Sequence, residues 1–322
     1  MTQQYLRTVE LKIEGGKTFR YVGDENGGQG LRIRFETTQA DRSTPNVLRA
    51  QVTNLADSST QPAFYKGKTI TLSAGYAGAV GVLFKGQIQQ ARNLRENTTD
   101  KVLSIIATDA SQPRNYAIAN QTLSAGHTHY DRVMVAANAF KAMGVSIGYI
   151  DKDALLPVKF NRGFAAFGMA KDLLRQTCTA CKTSWSIQNG VFQVVKNDKP
   201  KPGGTIVLNS KTGLVGLPIQ TIQGVEGTCL LNYNIVPTCS VQIDQKSIQQ
   251  AEIDPSTTGA PNNALLEMYG IATDGQYKVF YVSHAGDTRG EEFYTHFVCV
   301  KASAGTVSPA LAARGIAAPY AQ

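Results

Sequence analysis

Trp185-Ser186-Ile187-Gln188-Asn189-Gly190-Val191-Phe192-Gln193-Val194-Val195 reads as two short strands around a two-residue turn. Asn-Gly is the preferred pair for a type I′ turn, because both central positions need positive φ and these two residues tolerate it best. The turn sets the register: Gln188 faces Val191, Ile187 faces Phe192 and Trp185 faces Val194. Trp185, Ile187, Phe192 and Val194 then share one apolar face, which needs a cover. The natural cover is the segment just before it. From Ala165 to about Cys178, Phe167, Ala170, Leu173, Leu174 and Thr177 or Cys178 recur three or four apart, which predicts a helix leading into the hairpin. Lys196 to Gly204, with Pro200, Pro202 and two glycines, reads as the exit linker.

Upstream, Tyr130 to Met143 has the same helical period, with Val133, Ala136, Ala137, Phe140 and Met143 near one face and Gly144 as the stop. Thr128, beside His127, stands at the expected start, where a hydroxyl can satisfy free backbone amides. From Leu6 to about Ala110 the dominant period is two. Leu31, Ile33 and Phe35 alternate with Arg32 and Arg34, and Ile70 and Leu72 with Thr69 and Thr71, as half-buried antiparallel strands do. Gly23–Gly30 and Gly75–Gly81 supply turns, Asn54–Gln61 a loop, and Val102–Ala107 a last strand. A second β-rich segment runs from Thr205 to about Ala302. Its strands are expected at Ser240–Asp244, Tyr277–Ser283 and Tyr294–Lys301, with a polar loop from Gln249 to Asn263. The tail from Gly305 is rich in Ala and is expected to take order against a neighbour.

The chain has 322 residues, 42% hydrophobic and 17% charged, which suits a globular protein of two or three units rather than a disordered one. No run approaches the roughly 20 apolar residues that span a bilayer, and Met1–Glu10 has no signal-peptide pattern. The five cysteines, Cys178, Cys181, Cys229, Cys239 and Cys299, are an odd number and are expected to be thiols. The net charge is +8, and residues 158–211 hold nine Lys or Arg against two Asp or Glu. That segment could meet phosphate or an acidic protein neighbour, or form a solvated Lys-rich face.

Ser210-Lys211-Thr212-Gly213-Leu214-Val215-Gly216-Leu217-Pro218 is followed by Gly224-Val225-Glu226-Gly227-Thr228-Cys229-Leu230-Leu231-Asn232-Tyr233-Asn234-Ile235-Val236-Pro237. Together with the preceding Trp185 hairpin, this order resembles the central baseplate hub of contractile phage tails, the T4-like hub and late-control protein D-like family. The likeness continues through Lys66–Tyr76 with Phe84-Lys85-Gly86, and through Gly275–Val279 with His284–Thr288. It implies a mainly β, α+β chain of two β-barrel-like tube domains, residues 1–112 and 205–304, with an inserted helical and helix-hairpin, LysM-like region at 113–204 and a tail at 305–322. In that family three chains form a ring that joins the sixfold tail tube to the threefold central spike. The resemblance therefore implies a homotrimer in the virion baseplate, assembled in the host cytoplasm. Its partners would be the tube or tube-initiator protein, the spike and other baseplate proteins, with transient DNA contact in the lumen compatible. The chain is shorter than the larger hubs and shows no lysozyme-like or spike segment, so those are expected on separate chains.

Possible chemistry is sparse. Cys178-Thr179-Ala180-Cys181 has the spacing of half a zinc site, but Cys229 and Cys239 are ten positions apart and form no second CxxC, so core packing is the reading taken. His127 and His129 could supply two imidazoles, yet a surface turn is expected there. Ser283, His284 and Asp287 lack a nucleophile elbow and read as a strand end and turn. Gly27-Gly28-Gln29-Gly30 lacks the Lys and Ser/Thr of a phosphate loop. No catalytic, metal or cofactor-binding residue is assigned, and no enzyme activity is expected. The rival is a tail-associated peptidoglycan-binding or hydrolysing protein, which an acidic pair or Cys/His site in a cleft would mark. A third reading, DNA binding, rests only on the basic segment.

Overall fold

The computed structural model describes residues 6–25, 27–56, 59, 61, 65–221, 224–244, 248–250 and 275–302. The strands of the first β segment are β1 (Arg7–Ile13), β2 (Thr18–Val22), β3 (Gln29–Gly30), β4 (Ile33–Ala40), β5 (Val47–Thr53), β6 (Thr69–Tyr76), β7 (Ala79–Arg95) and β8 (Lys101–Thr108). The middle holds α1 (Ser111–Tyr116), β9 (Ile118–Leu123), α2 (His129–Ala142), β10 (Ser146–Ile150), β11 (Phe164–Met169), α3 (Ala170–Cys181), β12 (Thr183–Gln188) and β13 (Val191–Lys196). Then come β14 (Thr205–Leu208), β15 (Leu214–Thr221), β16 (Gly224–Leu230), β17 (Ser240–Ile243), β18 (Gln249–Gln250), β19 (Gln276–Asp287) and β20 (Phe293–Lys301). The chain is mainly β, as its period-two alternation predicts.

Both β segments belong to one sheet. Its order is β18-β15-β16-β20-β19-β4-β5-β8-β7-β6-β1-β2-β3, with β14 and β17 attached beside β19. The pairing follows an open path, and among the described residues no pairing joins its ends into a barrel. The crossing point is the antiparallel seam of β4 and β19, from Ala40 opposite Tyr281 to Arg34 opposite Asp287. The core of the first segment is completed from the second: Leu231 and Phe293 are buried with Val9, Leu11, Phe35, Ile70 and Leu72. Phe293 meets Phe35 and Tyr76 edge-on, at centroid distances of 6.1 and 5.4 Å. Gly286 lies opposite Phe35 in the seam, where a Cβ would come 2.6 Å from the Phe35 ring and 2.8 Å from that of Phe293. Only glycine lets the strands close there.

The helix-hairpin region has its own core. Trp185, Ile187, Phe192 and Val194 pack against Leu173, Leu174, Cys178 and Cys181 of α3 and Val133, Ala137 and Phe140 of α2. The hairpin register is the expected one, with Asn189 at φ 53° and Gly190 at φ 80°. β10 adds a parallel third strand to β13. Thr128 caps α2 in a reciprocal capping box with Asp131, and Gly144 follows at φ 88°.

Three expectations change. Residues 165–169 lie in strand β11, paired with β9, and helix α3 begins only at Ala170. A five-residue apolar run is short enough to suit either period, and Gly168 at φ 140° cannot sit in a helix. Met143 lies beyond the last turn of α2 and is exposed. In the expected polar loop, Gln249 and Gln250 form β18 along β15; the rest of that stretch and the tail from 305 lie outside the described residues.

Trp185 lies 5.8 Å from the Phe140 ring and 6.4 Å from that of Phe192. Trp185→Ala is expected to cost about 3–5 kcal/mol. Asn189→Val, which forces a β-branched residue to positive φ, is expected to cost about 1–3 kcal/mol. Thermal melts of the two variants check this; unchanged melting would remove the hairpin from the core.

Candidate functional site

The residues with chemical potential are distributed into separate places. Cys178 and Cys181 lie in the helix-hairpin core against Trp185, whereas Cys229, Cys239 and Cys299 belong to the core beneath β16, β17, β19 and β20. Burial pushes the thiols of Cys178 and Cys229 up to about 12 and that of Cys239 to about 11, so they behave as small apolar side chains rather than nucleophiles. Among the described residues, no three His, Cys, Asp or Glu side chains gather where they could hold a metal.

His127 and His129 are buried, not on a surface turn. The guanidinium of Arg132 lies 3.9 Å from the centroid of the Phe160 ring and 4.1 Å from that of Phe164. It donates from Nε to His127 Nε2 at 3.1 Å, and His127 Nδ1 lies 2.8 Å from the Ser124 carbonyl. With Nε2 accepting from Arg132, Nδ1 is the nitrogen that donates to the carbonyl. Two backbone bonds, Gly126 to the Phe160 carbonyl and Phe160 to that of His127, tie the 151–163 loop to the start of α2. The apolar signal for this cluster, Phe160 and Phe164 flanking Arg162, lay outside any periodic segment.

Ser283, His284 and Asp287 all lie in β19, which runs four residues beyond its expected end. His284 is fully buried, and desolvation first, then the nearby His296, push its imidazole down to about 3. Its Nδ1 lies 2.9 Å from the Thr295 hydroxyl. Asp287 is no simple turn residue: it forms a 2.7 Å ion pair with Arg32. Burial alone would raise this carboxyl, but Arg32 and the backbone amide of Arg289 hold it below the usual carboxylate range. Arg7 reinforces this end by donating to the carbonyls of Asp287 and Glu291 and lying 5.1 Å over Phe293. Gly27 and Gly28 close a turn in which Gly28 donates to Asp24 and Tyr21 to the Gly27 carbonyl.

One buried polar group is a junction no motif announced. Asp41, just after β4, pairs with Lys278 of β19 at 2.8 Å, both side chains being 2% exposed. Ser184 of β12 donates to the same Asp41 oxygen at 2.8 Å, and Lys278 donates to the Lys196 carbonyl of β13 at 3.0 Å. First β segment, insertion and second β segment thus meet in one network. It borders a recess of about 420 Å³ lined also by Arg42, Arg175, Asn197 and Phe280. A buried pair of this kind adds little net stability, but removing one partner leaves an uncompensated charge and costs about 3–5 kcal/mol.

A second contact docks the hairpin tip on the first segment. Asn189 Oδ1 accepts from the Lys85 amide at 3.0 Å, and Gly190 donates to Asp109 Oδ1 at 3.0 Å. Asn46 donates to the Ile187 carbonyl and to Gln188, and Gln188 donates to the Ala40 carbonyl. The turn chosen for its backbone angles is also the plug of this joint.

Burial raises the Asp109 carboxyl to about 7, against the opposing pull of the Asn189 and Gly190 amides, Asn46 and Lys85. The folded protein therefore keeps a proton that the unfolded chain releases near its ordinary value of 3.8. This contribution is whole below that value and is lost as pH rises through about 7, with a slope of about 1.4 kcal/mol per pH unit. Asp109→Asn, which keeps the acceptor for Gly190, is expected to flatten that slope. Stability measured from pH 4 to 8 checks this, and an identical slope in the variant contradicts it.

No protein-family model matches the chain, and no curated protein matches it by sequence. Its fold, however, has counterparts among solved structures. The 43 kDa tail protein of prophage MuSo2 from Shewanella oneidensis superposes with a TM-score of 0.58 at 11% identity, over 92% of this chain and 99% of that one. The tail protein from Neisseria meningitidis MC58 gives 0.57 at 10% identity, over 94% and 98%. The E. coli c3393 protein, a component of the type VI secretion system with structural similarity to the T4 tail proteins gp27 and gp5, gives 0.53 at 13% identity, over 94% and 79%. At these identities the likeness is one of fold, and the fold of this chain is that of phage tail proteins.

Proposed function

We propose that the chain is a structural subunit of a phage tail and, within it, the baseplate hub of a contractile tail. Three copies would form a ring joining the sixfold tube to the threefold spike. The observation that carries this reading is the end-to-end extent of the fold match: two tail proteins are covered over 98% or more of their length by 92% or more of this chain. The continuous sheet supports it, since a ring under axial load needs its two β segments to move as one body. We assign residues 1–112 and 205–304 to the two tube domains, 113–204 to the insertion and 305–322 to the tail. A closed ring requires a heterologous interface, one face of each subunit against a different face of the next. The role is one of binding rather than catalysis, with tube, spike and other baseplate proteins as partners and the virion baseplate as location. The distribution of buried His, Cys and Asp side chains into separate packing and joint roles supports this.

Electron cryo-microscopy of assembled tails tests the proposal. Three copies at one axial level between tube and spike are expected. Six copies at one level, or a position on the outer baseplate away from the axis, would overturn it.

A further inference from the structure

The two-stranded ribbon of β9 and β11 carries large apolar side chains turned to solvent. Ile118 and Phe167 are 60% and 81% exposed, and Tyr116, which ends α1 just before β9, is 70% exposed. Ile118 lies opposite Met169 and Asn120 opposite Phe167, so Ile118 and Phe167 share the outer face, while Ala119 and Ala166 on the inner face are buried. Scattered apolar residues are normal on a surface, but two of this size on one face of a small ribbon, with Tyr116 at the end of the adjoining helix, mark a contact. The ribbon pairs with no third strand among the described residues. A recess of about 210 Å³ lies between β11 and α3, lined also by Asp172, Leu173 and Gln176, with Asp172 paired to Arg175 at 3.0 Å. The two strands hold no charged residue, yet β11 is bracketed by Arg162 before it and Lys171 after it.

We infer that the outer edge of β11 is a docking site for an extended, apolar segment of another protein, flanked by acidic residues and added as a third strand. Main-chain bonds to β11 would supply affinity, one side chain would enter the recess, and Phe167 and Ile118 would be covered. The acidic flanks follow from Arg162 and Lys171, which would repel a basic segment and would face each other across two identical ribbons. The same argument disfavours a second copy of this chain. That the segment belongs to another tail subunit rests on the reading proposed above; the edge and its chemistry do not.

Two measurements test it. With the purified full chain, a short fluorescent peptide of alternating Val and Thr flanked by Glu is expected to bind about fivefold tighter than its Lys-flanked counterpart. Phe167→Glu, at an exposed position, is expected to melt like wild type and weaken binding about tenfold. Equal binding of both peptides, or binding unchanged by Phe167→Glu, would overturn the inference. In assembled tails, a photo-crosslinking residue at position 167 is expected to capture a different protein at an apolar segment with acidic flanks. Capture of a second copy, or no capture, would overturn it. If the chain is absent from purified tails, the tail reading fails and the peptide measurement alone decides the docking site.

Discussion

The pairing of β4 with β19 is the constraint on which the molecule depends, because it joins strands about 250 residues apart into one sheet. Each end of the seam is closed by an ion pair. At one end Asp41 meets Lys278 in full burial; at the other Arg32 holds Asp287, with Arg7 gripping the carbonyls of the following turn. Between them Gly286 lets the Phe35 and Phe293 rings close over the strands. The two ends are not equivalent. Arg32 of the other pair is partly exposed and open to screening, whereas the Asp41 pair is dry, so its geometry must be kept once formed. It works as a locating pin more than as a source of stability.

The insertion is held to this seam rather than hung from it. Ser184 and the Lys196 carbonyl join the buried pair, and the Asn189-Gly190 turn sits between the Lys85 amide and Asp109. A flexible appendage would need none of these bonds. Each instead fixes the orientation of the β12–β13 hairpin, and with it the helix core that places the β9–β11 ribbon. Exposed apolar surface on that ribbon is thus presented at a defined angle to the sheet, the condition for a rigid docking face.

What could be read in advance was the local part. The hairpin register, the Thr128 cap, the Gly144 stop and the burial of Cys178 and Cys181 against Trp185 follow from turn chemistry and period. The mainly β class followed from alternation alone. The β11 strand was misread because Phe167 and Ala170 mimic a helical stripe over a run too short to distinguish the two periods. His127 and His129 were misplaced at the surface because their burial comes from Phe160 in an aperiodic loop and Phe164 at the start of β11, over thirty residues downstream. Asp287 seemed a turn residue because nothing local reveals Arg32. The pair Asp41 and Lys278 had no signal at all: each is a single charge in an ordinary setting, and only long-range topology brings them together.

That the two β segments are one mechanical body is tested most directly by native-state hydrogen exchange at the amides of β4 and β19 that bond across the seam. One body predicts that these amides open with the same free energy as the interior of β8 and β20, in a single global event. Seam amides that exchange far faster while β8 and β20 stay protected would show two units that merely touch, and would contradict the account.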